Sequence, residues 1–418
     1  MSGPADGAAN DGVHDAGDEL ADDLPPATLA WPEGLDHERF LAEVWQRRPL
    51  LMRGALPGFR TPIDPDELAG LALEPDTTPR LLLEGASGDF RVEHGPFEES
   101  RFASLDGRFS LLVTDVEKHL PELGRWIRAF RLLPAWRFDD LMISYAPDGG
   151  SVGAHVDAYD VFLLQASGTR RWSIDASTAG AGAAPRTVRR GDLELVEPFE
   201  PTDTWELEPG DALYLPPGVA HHGVAVGEGC TTWSIGFRAP SAAEVVAGVA
   251  ALLVEELHEA PLADPPLAPG SAGEIGRASL DALRRVWDEA TRLDDAAFAA
   301  LVGRVLTTRI GEGGTDRADG PDDAKAPDRC GDDAGLERDP FARLAWADDR
   351  AAAAGDDRHV TLFADGRSLK CSAGLATRLC DPDAAVPSRS RLSAADAAVV
   401  DALVGVGVLR DRDERDRG

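Results

Sequence analysis

Apolar and polar positions follow one rhythm over the first 240 residues and another beyond them. In "LDHERFLAEVWQRRPLLMRGAL", Phe40, Leu41, Val44 and Trp45 recur at helical spacing. This spacing predicts a helix that Pro49 stops, then a short apolar strand from Leu50 to Met52. From there to about Phe237 the chain is a series of strand-like runs separated by Gly, Pro and Asp. They read "RLLLEG", "LLVTDV", "LMISYAP", "VFLLQAS", "RRWSID", "GDLELV", "TWELEPGDALYLPPG" and "TTWSIGFRA". Strands at this density predict a sandwich or barrel. The rhythm changes at Ser241. "SAAEVVAGVAALLVEELHEA" opens with a capping box, Ser241 with Glu244, and continues apolar at helical spacing. A second helical block over 279–310 sets Leu280, Leu283, Val286 and Trp287 on one face, with Phe298, Leu301, Val302 and Val305 further on. That apolar surface must be buried, against the barrel or against a second copy of the chain.

Two tracts carry no such rhythm. Residues 1–27 form an acidic, Ala/Gly-rich tail expected to be disordered, and residues 311–339 are a linker by composition. The organisation expected is therefore a mainly β catalytic domain over 28–240, a helical segment over 241–310, the linker, and a small domain over 340–418. That last unit is expected to hold a helix near Phe341, a strand pair around "HVTLFADGRSLKCS" and a helix in "SAADAAVVDALVGVGVL". The order suits a small α+β, winged-helix-like module. No internal repeat is found.

Composition narrows the partners. With a formal charge of −32 over 418 residues, the surface is uniformly acidic, and only Lys118, Lys325 and Lys370 are lysines. Such a surface favours solubility in high salt and attraction of a basic partner, ribosomal and chromatin proteins among them. It opposes direct contact with a nucleic-acid backbone, which needs clustered cations. The longest apolar run, Val245 to Val254, is too short to span a membrane and is flanked by Glu244, Glu255 and Glu256. The N-terminus lacks the basic and apolar regions of a secretory signal. Cys230, Cys330, Cys371 and Cys380 are scattered without a Cys-x-x-Cys pair, as for reduced thiols in a cytoplasmic protein.

The candidate chemistry lies in "GAHVDAYD". In a strand, residues i and i+2 face the same way, so His155 and Asp157 both point into a barrel mouth. A two-His, one-carboxylate facial triad for non-haem Fe(II) needs one further His. "EPGDALYLPPGVAHHGVAV" supplies it: two rigid turns, Pro209-Gly210-Asp211 and Pro216-Pro217-Gly218, bracket a short strand and deliver His221 or His222. The other histidines, His14, His37, His94, His119, His258 and His359, lie in tail, helix or surface-like contexts. "QASGTRRWSID" offers a cation at barrel depth, since alternation turns either Arg170 or Arg171 inward, and Arg suits bidentate recognition of a carboxylate.

"LMISYAPDGGSVGAHVD", "HVDAYDVFLLQASGTRRW" and "EPGDALYLPPGVAHHG" together resemble the JmjC-type 2-oxoglutarate oxygenases, whose catalytic domain is a cupin-like double-stranded β-helix. Within them the chain is most similar to the bacterial ribosomal oxygenases, which hydroxylate an arginine of large-subunit ribosomal protein sixteen. The early "FLAEVWQRRPLLMRGAL" shares this likeness. The resemblance covers roughly 28–240; for 241–310 and 340–418 it is one of order only, a helical dimerisation segment followed by a winged-helix-like domain. It implies that His155, Asp157 and His221 bind Fe(II), that Arg170 and Ser144 hold the cosubstrate 2-oxoglutarate, and that O2 is consumed. His222 departs from the family, which carries an acidic residue there, and leaves a swap of one ligand open.

A basic substrate side chain needs acceptors at the mouth, and Asp148, Tyr159 and Asp160 flank the metal-binding strand. The same acidic mouth would suit a histidyl hydroxylase or an N-methyl-lysine demethylase. A non-enzymatic metal-binding cupin protein would have no use for Arg170 and Ser144, and a transcriptional regulator would need a basic stripe that the C-terminal module lacks.

Overall fold

Along the strands of the first 240 residues, apolar side chains fall on both faces, and each face finds its own cover. The structure is a computed structural model describing residues 27–120, 123–179, 185–238, 240–255, 257, 273–308, 335–339, 342–348, 358–381 and 384–411. The expected tail and most of the expected linker lie outside the described residues. The strands are β1 (Leu50–Met52), β2 (Thr78–Glu84), β3 (Phe90–His94), β4 (Phe109–Thr114), β5 (Phe138–Ala146) and β6 (Asp160–Asp175). They continue as β7 (Thr187–Arg190), β8 (Leu193–Val196), β9 (Asp203–Leu207), β10 (Ala212–Leu215) and β11 (Ala220–Phe237). Nine of them form one sheet in the order β1-β10-β6-β11-β5-β4-β2-β3, with β9 on the far half of β6. The remaining two, β7 and β8, make a separate hairpin.

The two expected runs "VFLLQAS" and "RRWSID" are parts of one strand, the 16-residue β6, and the start of "TTWSIGFRA" completes the 18-residue β11. Gly168, expected as a turn, is instead a corner. Its φ of +61° suits glycine, and a Cβ there would stand 2.8 Å from the Gly229 carbonyl oxygen. Opposite it, β11 shifts register between Val226 and Thr231. Both strands bend here and fold the sheet over itself.

The convex face is closed by α1 (His37–Glu43), α2 (Pro65–Leu71), α3 (Glu99–Ala103) and α4 (Gly124–Ile127). Phe40, Leu68 and Ile127 pack there against Leu141, Ile143, Phe162, Leu164, Trp233 and Ile235. α1 ends before Pro49 can stop it, because Gln46 turns left-handed (φ 55°) and donates its N–H to the Tyr214 hydroxyl at 2.8 Å. The concave face holds a second cluster, Val161, Leu163, Trp172, Ile174, Leu213 and Leu215.

Beyond the sheet come α5 (Ala242–Glu255), α6 (Arg277–Ala290) and α7 (Asp295–Thr307). The capping box forms: the Ser241 N–H donates to Glu244 at 2.6 Å, and the Glu244 N–H to Ser241 Oγ at 3.1 Å. α5 lies on α7 through Gly248, where a Cβ would meet Val305 at 2.8 Å. α7 in turn lies on the C-terminal unit, Gly303 against the Phe363 ring. α6 buries nothing.

The C-terminal unit comprises β12 (Leu336–Arg338), β13 (Leu344–Asp348), β14 (His359–Ala364), β15 (Arg367–Ser372), α8 (Ala373–Cys380), α9 (Ala394–Gly405) and β16 (Leu409–Asp411). β13, β14 and β15 form one sheet, and β12 pairs with β16. The strand pair and the last helix match expectation. The helix expected near Phe341 does not: Phe341 is outside the described residues, and strands stand on either side of it. The expected linker thus ends in a strand, and α8 is an unforeseen helix, capped by the Ser372 hydroxyl on the Leu375 N–H at 3.2 Å.

Candidate active site

His155 and His221 face each other across an antiparallel bridge, each backbone N–H donating to the other's carbonyl, at 3.0 and 2.9 Å. The two rigid turns expected around β10 do place His221 here, and the Gly218 N–H holds the Asp157 carbonyl at 2.8 Å. Each imidazole Nδ1 meets a carbonyl, of Gly153 at 3.0 Å and of Val219 at 2.9 Å. A carbonyl only accepts, so Nδ1 carries the proton and Nε2 presents its lone pair. Both Nε2 atoms point at Asp157, His155 at 3.8 Å and His221 at 3.5 Å. The three donor groups lie within 4.8 Å of one another. Burial first, and then the neighbouring His155, push His221 down to about 4, so its ring stays neutral at physiological pH. The strand expected around His155 and Asp157 is instead the loop between β5 and β6, tied to β11 by that bridge. Two imidazoles and one carboxylate brought together in this way fit a facial Fe(II) triad.

His222 is not with them. Alternation turns it to the other side of β11, where Nε2 is 2.9 Å from Ser151 Oγ and the ring meets Phe199 edge-on. A ligand swap with His221 would require β11 to slip by one residue.

Deeper in the fold, alternation separates the two arginines. Arg171 is exposed and paired with Glu206 at 2.7 Å. Arg170 is 2% exposed, lies 5.7 Å over the Trp172 ring, and donates Nε–H to Cys230 Sγ at 3.4 Å. Its Nη2 has no hydrogen-bond partner among the described residues. A buried guanidinium with an open edge is costly unless an anion completes it. Ser144 is buried nearby on β5, and its hydroxyl reaches only the Thr232 carbonyl, at 3.4 Å. Trp172 links triad and Arg170, its ring 5.8 Å from that of His221 and 5.7 Å from the Arg170 guanidinium, so a metal-binding set and an unanswered cation share one side of the fold, which fits a chelating dicarboxylate.

The expected substrate acceptors fare differently. Asp160 is 0% exposed and points away from the cavity: it accepts from the Tyr214 hydroxyl at 2.7 Å and Gln46 Nε2 at 2.8 Å, with Arg137 at 3.5 Å. Asp148 is exposed and holds its loop by accepting the Gly227 N–H at 2.7 Å. Both are structural. Tyr159 does pack against the concave cluster, its hydroxyl pushed up by burial and then by Asp157, Asp140 and Asp139.

A further carboxyl on this face, close enough to act with Asp157 on Tyr159, is Asp140. Leu141 and Ile143 belong to the convex core, so Asp140, Met142 and Ser144 share the concave face of β5. Asp140 Oδ1 sits 2.7 Å from where a Cβ on Gly236 would stand, so that glycine makes its room. Among the described residues it has no ion-pair partner, and burial, then Asp139, Glu117 and Asp115, hold its carboxyl well above the usual range. The alternation in "DDLMIS" that faces Ser144 inward also faces Asp140 inward. That was the available signal.

Comparison with known proteins agrees with this geometry. A JmjC domain family matches residues 125–245. The chain is 41% identical over 243 residues to the ribosomal protein uL16 3-hydroxylase of Escherichia coli strain K12, covering 58% of this chain and 62% of that protein. It is 38% identical over 234 residues to a probable ribosomal oxygenase of Haemophilus influenzae, covering 54% and 55% respectively. These alignments span less than two thirds of the curated relatives. In three dimensions the chain matches E. coli YcfD with a TM-score of 0.70 at 30% identity, over 92% of this chain and 99% of that one. The structure of YcfD, a ribosomal oxygenase, in complex with cobalt and 2-oxoglutarate matches with a TM-score of 0.68, at the same identity and coverage.

Proposed function

The chain belongs to the JmjC-type ribosomal oxygenases, and on that premise we propose that it is an Fe(II)- and 2-oxoglutarate-dependent hydroxylase of an arginine in a basic ribosomal protein, large-subunit protein sixteen (uL16). The observation that carries the reading is the pairing of the His155–Asp157–His221 triad with the open guanidinium edge of Arg170 in one cavity. Fe(II), bound there with 2-oxoglutarate and O2, supplies the oxidation of a C–H bond to C–OH, with succinate and CO2 as co-products.

The chain's own residues bind, orient and exclude water. The backbone bridge between His155 and His221 fixes the ligand positions, and their Nδ1–H bonds fix ring tautomer and tilt. Arg170, with Ser144 beside it, anchors the distal carboxylate of the cosubstrate, while Trp172 and Ile174 wall the cavity against water. Asp140, on the same face of β5 as Met142 and Ser144, receives the guanidinium of the substrate. A carboxylate left without a cation beside a metal-binding set favours a cationic side chain over a neutral one. The formal charge of −32 draws a basic protein toward this mouth.

The reading extends to assembly and location. Leu280, Leu283 and Trp287 on α6, with Phe298 on α7, remain 48–62% exposed. They form the face of a homodimer, which light scattering checks: Trp287→Glu gives monomer. The chain works in the cytoplasm on a protein substrate, without direct nucleic-acid contact. No helix among the described residues is long and apolar enough to cross a membrane.

The test is mass spectrometry of uL16, or a peptide from its basic loop, incubated with the protein, Fe(II), 2-oxoglutarate and O2 beside a His155→Ala control. Addition of one oxygen to an arginine, absent from the control, supports the proposal. Oxygen on a histidine, or loss of a methyl group from lysine, would transfer it to the histidyl hydroxylase or demethylase reading. Formation of succinate without peptide oxidation would remove uL16 as the substrate.

A further inference from the structure

Cys230 is fully buried at the corner where β6 and β11 bend, beside the floor of the cosubstrate cavity. It lies within the register shift of β11, between Val226 and Thr231, and a bulge of this kind re-aims a side chain. Two contacts hold the corner. Ser167 Oγ donates to the Gly229 carbonyl at 2.7 Å, and Gly168 comes so close to Gly229 that no Cβ would fit. The thiol is therefore placed by backbone more than by its own packing, in a small apolar cluster with Ala146 and Ala225.

Sγ accepts two N–H groups, from Arg170 Nε at 3.4 Å and from Gln165 Nε2 at 3.5 Å. Gln165 is itself fixed, its Nε2 also donating to the Ser167 carbonyl at 2.8 Å and its Oε1 accepting the Thr232 hydroxyl at 3.0 Å. A guanidinium has two edges suited to a carboxylate, and a partner on Nε settles which is left open. Here Nε is engaged by sulfur, and the buried Nη2 is without a partner. The sulfur is a weak acceptor, so it steers the guanidinium without competing with an incoming anion.

We infer that Cys230 is a positioning residue for the cosubstrate: its thiol holds Arg170 by Nε so that the Nη edge faces the distal carboxylate of 2-oxoglutarate. Resting on the oxygenase reading, this adds a residue that acts on the cosubstrate through Arg170 and not by touching it. The role predicts an effect on cosubstrate affinity and chain length. It predicts none on the peptide.

The experiment compares Cys230→Ala and Cys230→Ser with the unaltered full chain. Calorimetry first measures 2-oxoglutarate binding to metal-free protein, and to protein loaded with Mn(II) under nitrogen. Steady-state kinetics then give KM and kcat separately. Cys230→Ala is expected to weaken 2-oxoglutarate binding and raise its KM roughly tenfold, with kcat and peptide KM within about twofold. Cys230→Ser, which keeps an acceptor, restores most of the affinity. Preference for 2-oxoglutarate over the longer 2-oxoadipate narrows in the alanine variant. Thermal melting of each variant identifies loss of fold. Should Cys230→Ala fail to fold, the folded serine variant carries the test through its chain-length preference, which must stay closer to that of the unaltered protein than about threefold. Unchanged 2-oxoglutarate affinity in a folded Cys230→Ala, or a fall in kcat with affinity intact, overturns the assignment. If the unaltered protein itself binds no 2-oxoglutarate, the oxygenase reading falls, and this one with it.

Discussion

Asp140 and Asp160 lie on opposite faces of one sheet, within two strands of each other, and receive opposite treatment. Asp160, on the convex side, is saturated by Tyr214, Gln46 and Arg137. Asp140, on the concave side, has been given space by Gly236 and has no ion-pair partner among the described residues. The arginines repeat the contrast: Arg171 is paired at the surface, whereas Arg170 is buried with an open edge. Unpartnered polar atoms are not confined to one face, since Trp233 Nε1 on the convex side is also without a partner among the described residues. The contrast lies within each pair of like residues, and a buried charged group left unanswered is the more costly member.

The sharpest way to test this contrast is to remove a member of each set. Asp157→Ala should lower peptide hydroxylation by roughly a thousand-fold or more, because two imidazoles alone do not hold the ion in a facial site. Metal content by mass spectrometry should fall with it, and the chemical denaturation midpoint in chelator should not. Asp160→Ala should do the reverse. Leaving Tyr214, Gln46 and a half-buried Arg137 without their acceptor should cost roughly 3 kcal/mol of stability, read by denaturant unfolding. If Asp160→Ala were as stable as the unaltered chain, the distinction between a structural and a receptive carboxylate would lose its basis.

Asp140→Asn is the smaller and more telling change. It should reduce kcat/KM for an arginine peptide by roughly 10- to 100-fold, the worth of one charge-assisted hydrogen bond. Stability should be unchanged or slightly higher, since an uncompensated carboxyl is removed. Succinate formation without peptide should persist. Equal losses on arginine and citrulline peptides would mean that Asp140 does not read charge.

How much of this was legible beforehand divides along physical lines. The β1 strand, the Ser241 capping box and the change to helices were readable because local pattern decides them. His155, Asp157 and His221, picked out from motif and resemblance, come together within 4.8 Å, and Arg170 and Ser144 are buried as expected. A glycine between two apolar runs signals a turn or a corner alike, and at Gly168 only the long-range pairing of β6 with β11 distinguishes them. Asp160 was mistaken for a mouth residue because sequence proximity to Asp157 says nothing about side; one residue of alternation puts it on the convex face. Asp140 was missed although the same alternation, counted back from Ser144, would have found it. The C-terminal helix α8 was overlooked because Ser372 both ends a strand and caps a helix with no turn residues between.

A final, finer test concerns the buried neighbour of Asp140. Glu117 is 6% exposed, and its Oε2 accepts the Leu141 N–H at 2.9 Å, one residue from Asp140. Burial foremost, opposed by that hydrogen bond, raises it from 4.5 to about 7. The folded protein thus holds the Glu117 proton more tightly than the unfolded chain does. Its contribution to stability is present below the unfolded value and is lost as pH rises toward 7, at about 1.4 kcal/mol per pH unit for one proton. His221, lowered to about 4, acts in the opposite sense on its way up to its ordinary 6.5. The two slopes offset each other in the unaltered protein. The informative quantity is therefore the difference between the unaltered chain and Glu117→Gln, in which His221 cancels. Measured by denaturant unfolding in chelator from pH 5 to 8, the glutamine variant should gain on the unaltered chain as pH rises to about 7 and hold that gain above it. A difference flat across this range would show that Glu117 titrates as it does in water, and that the enclosure around Asp140 is weaker than its packing on Gly236 implies.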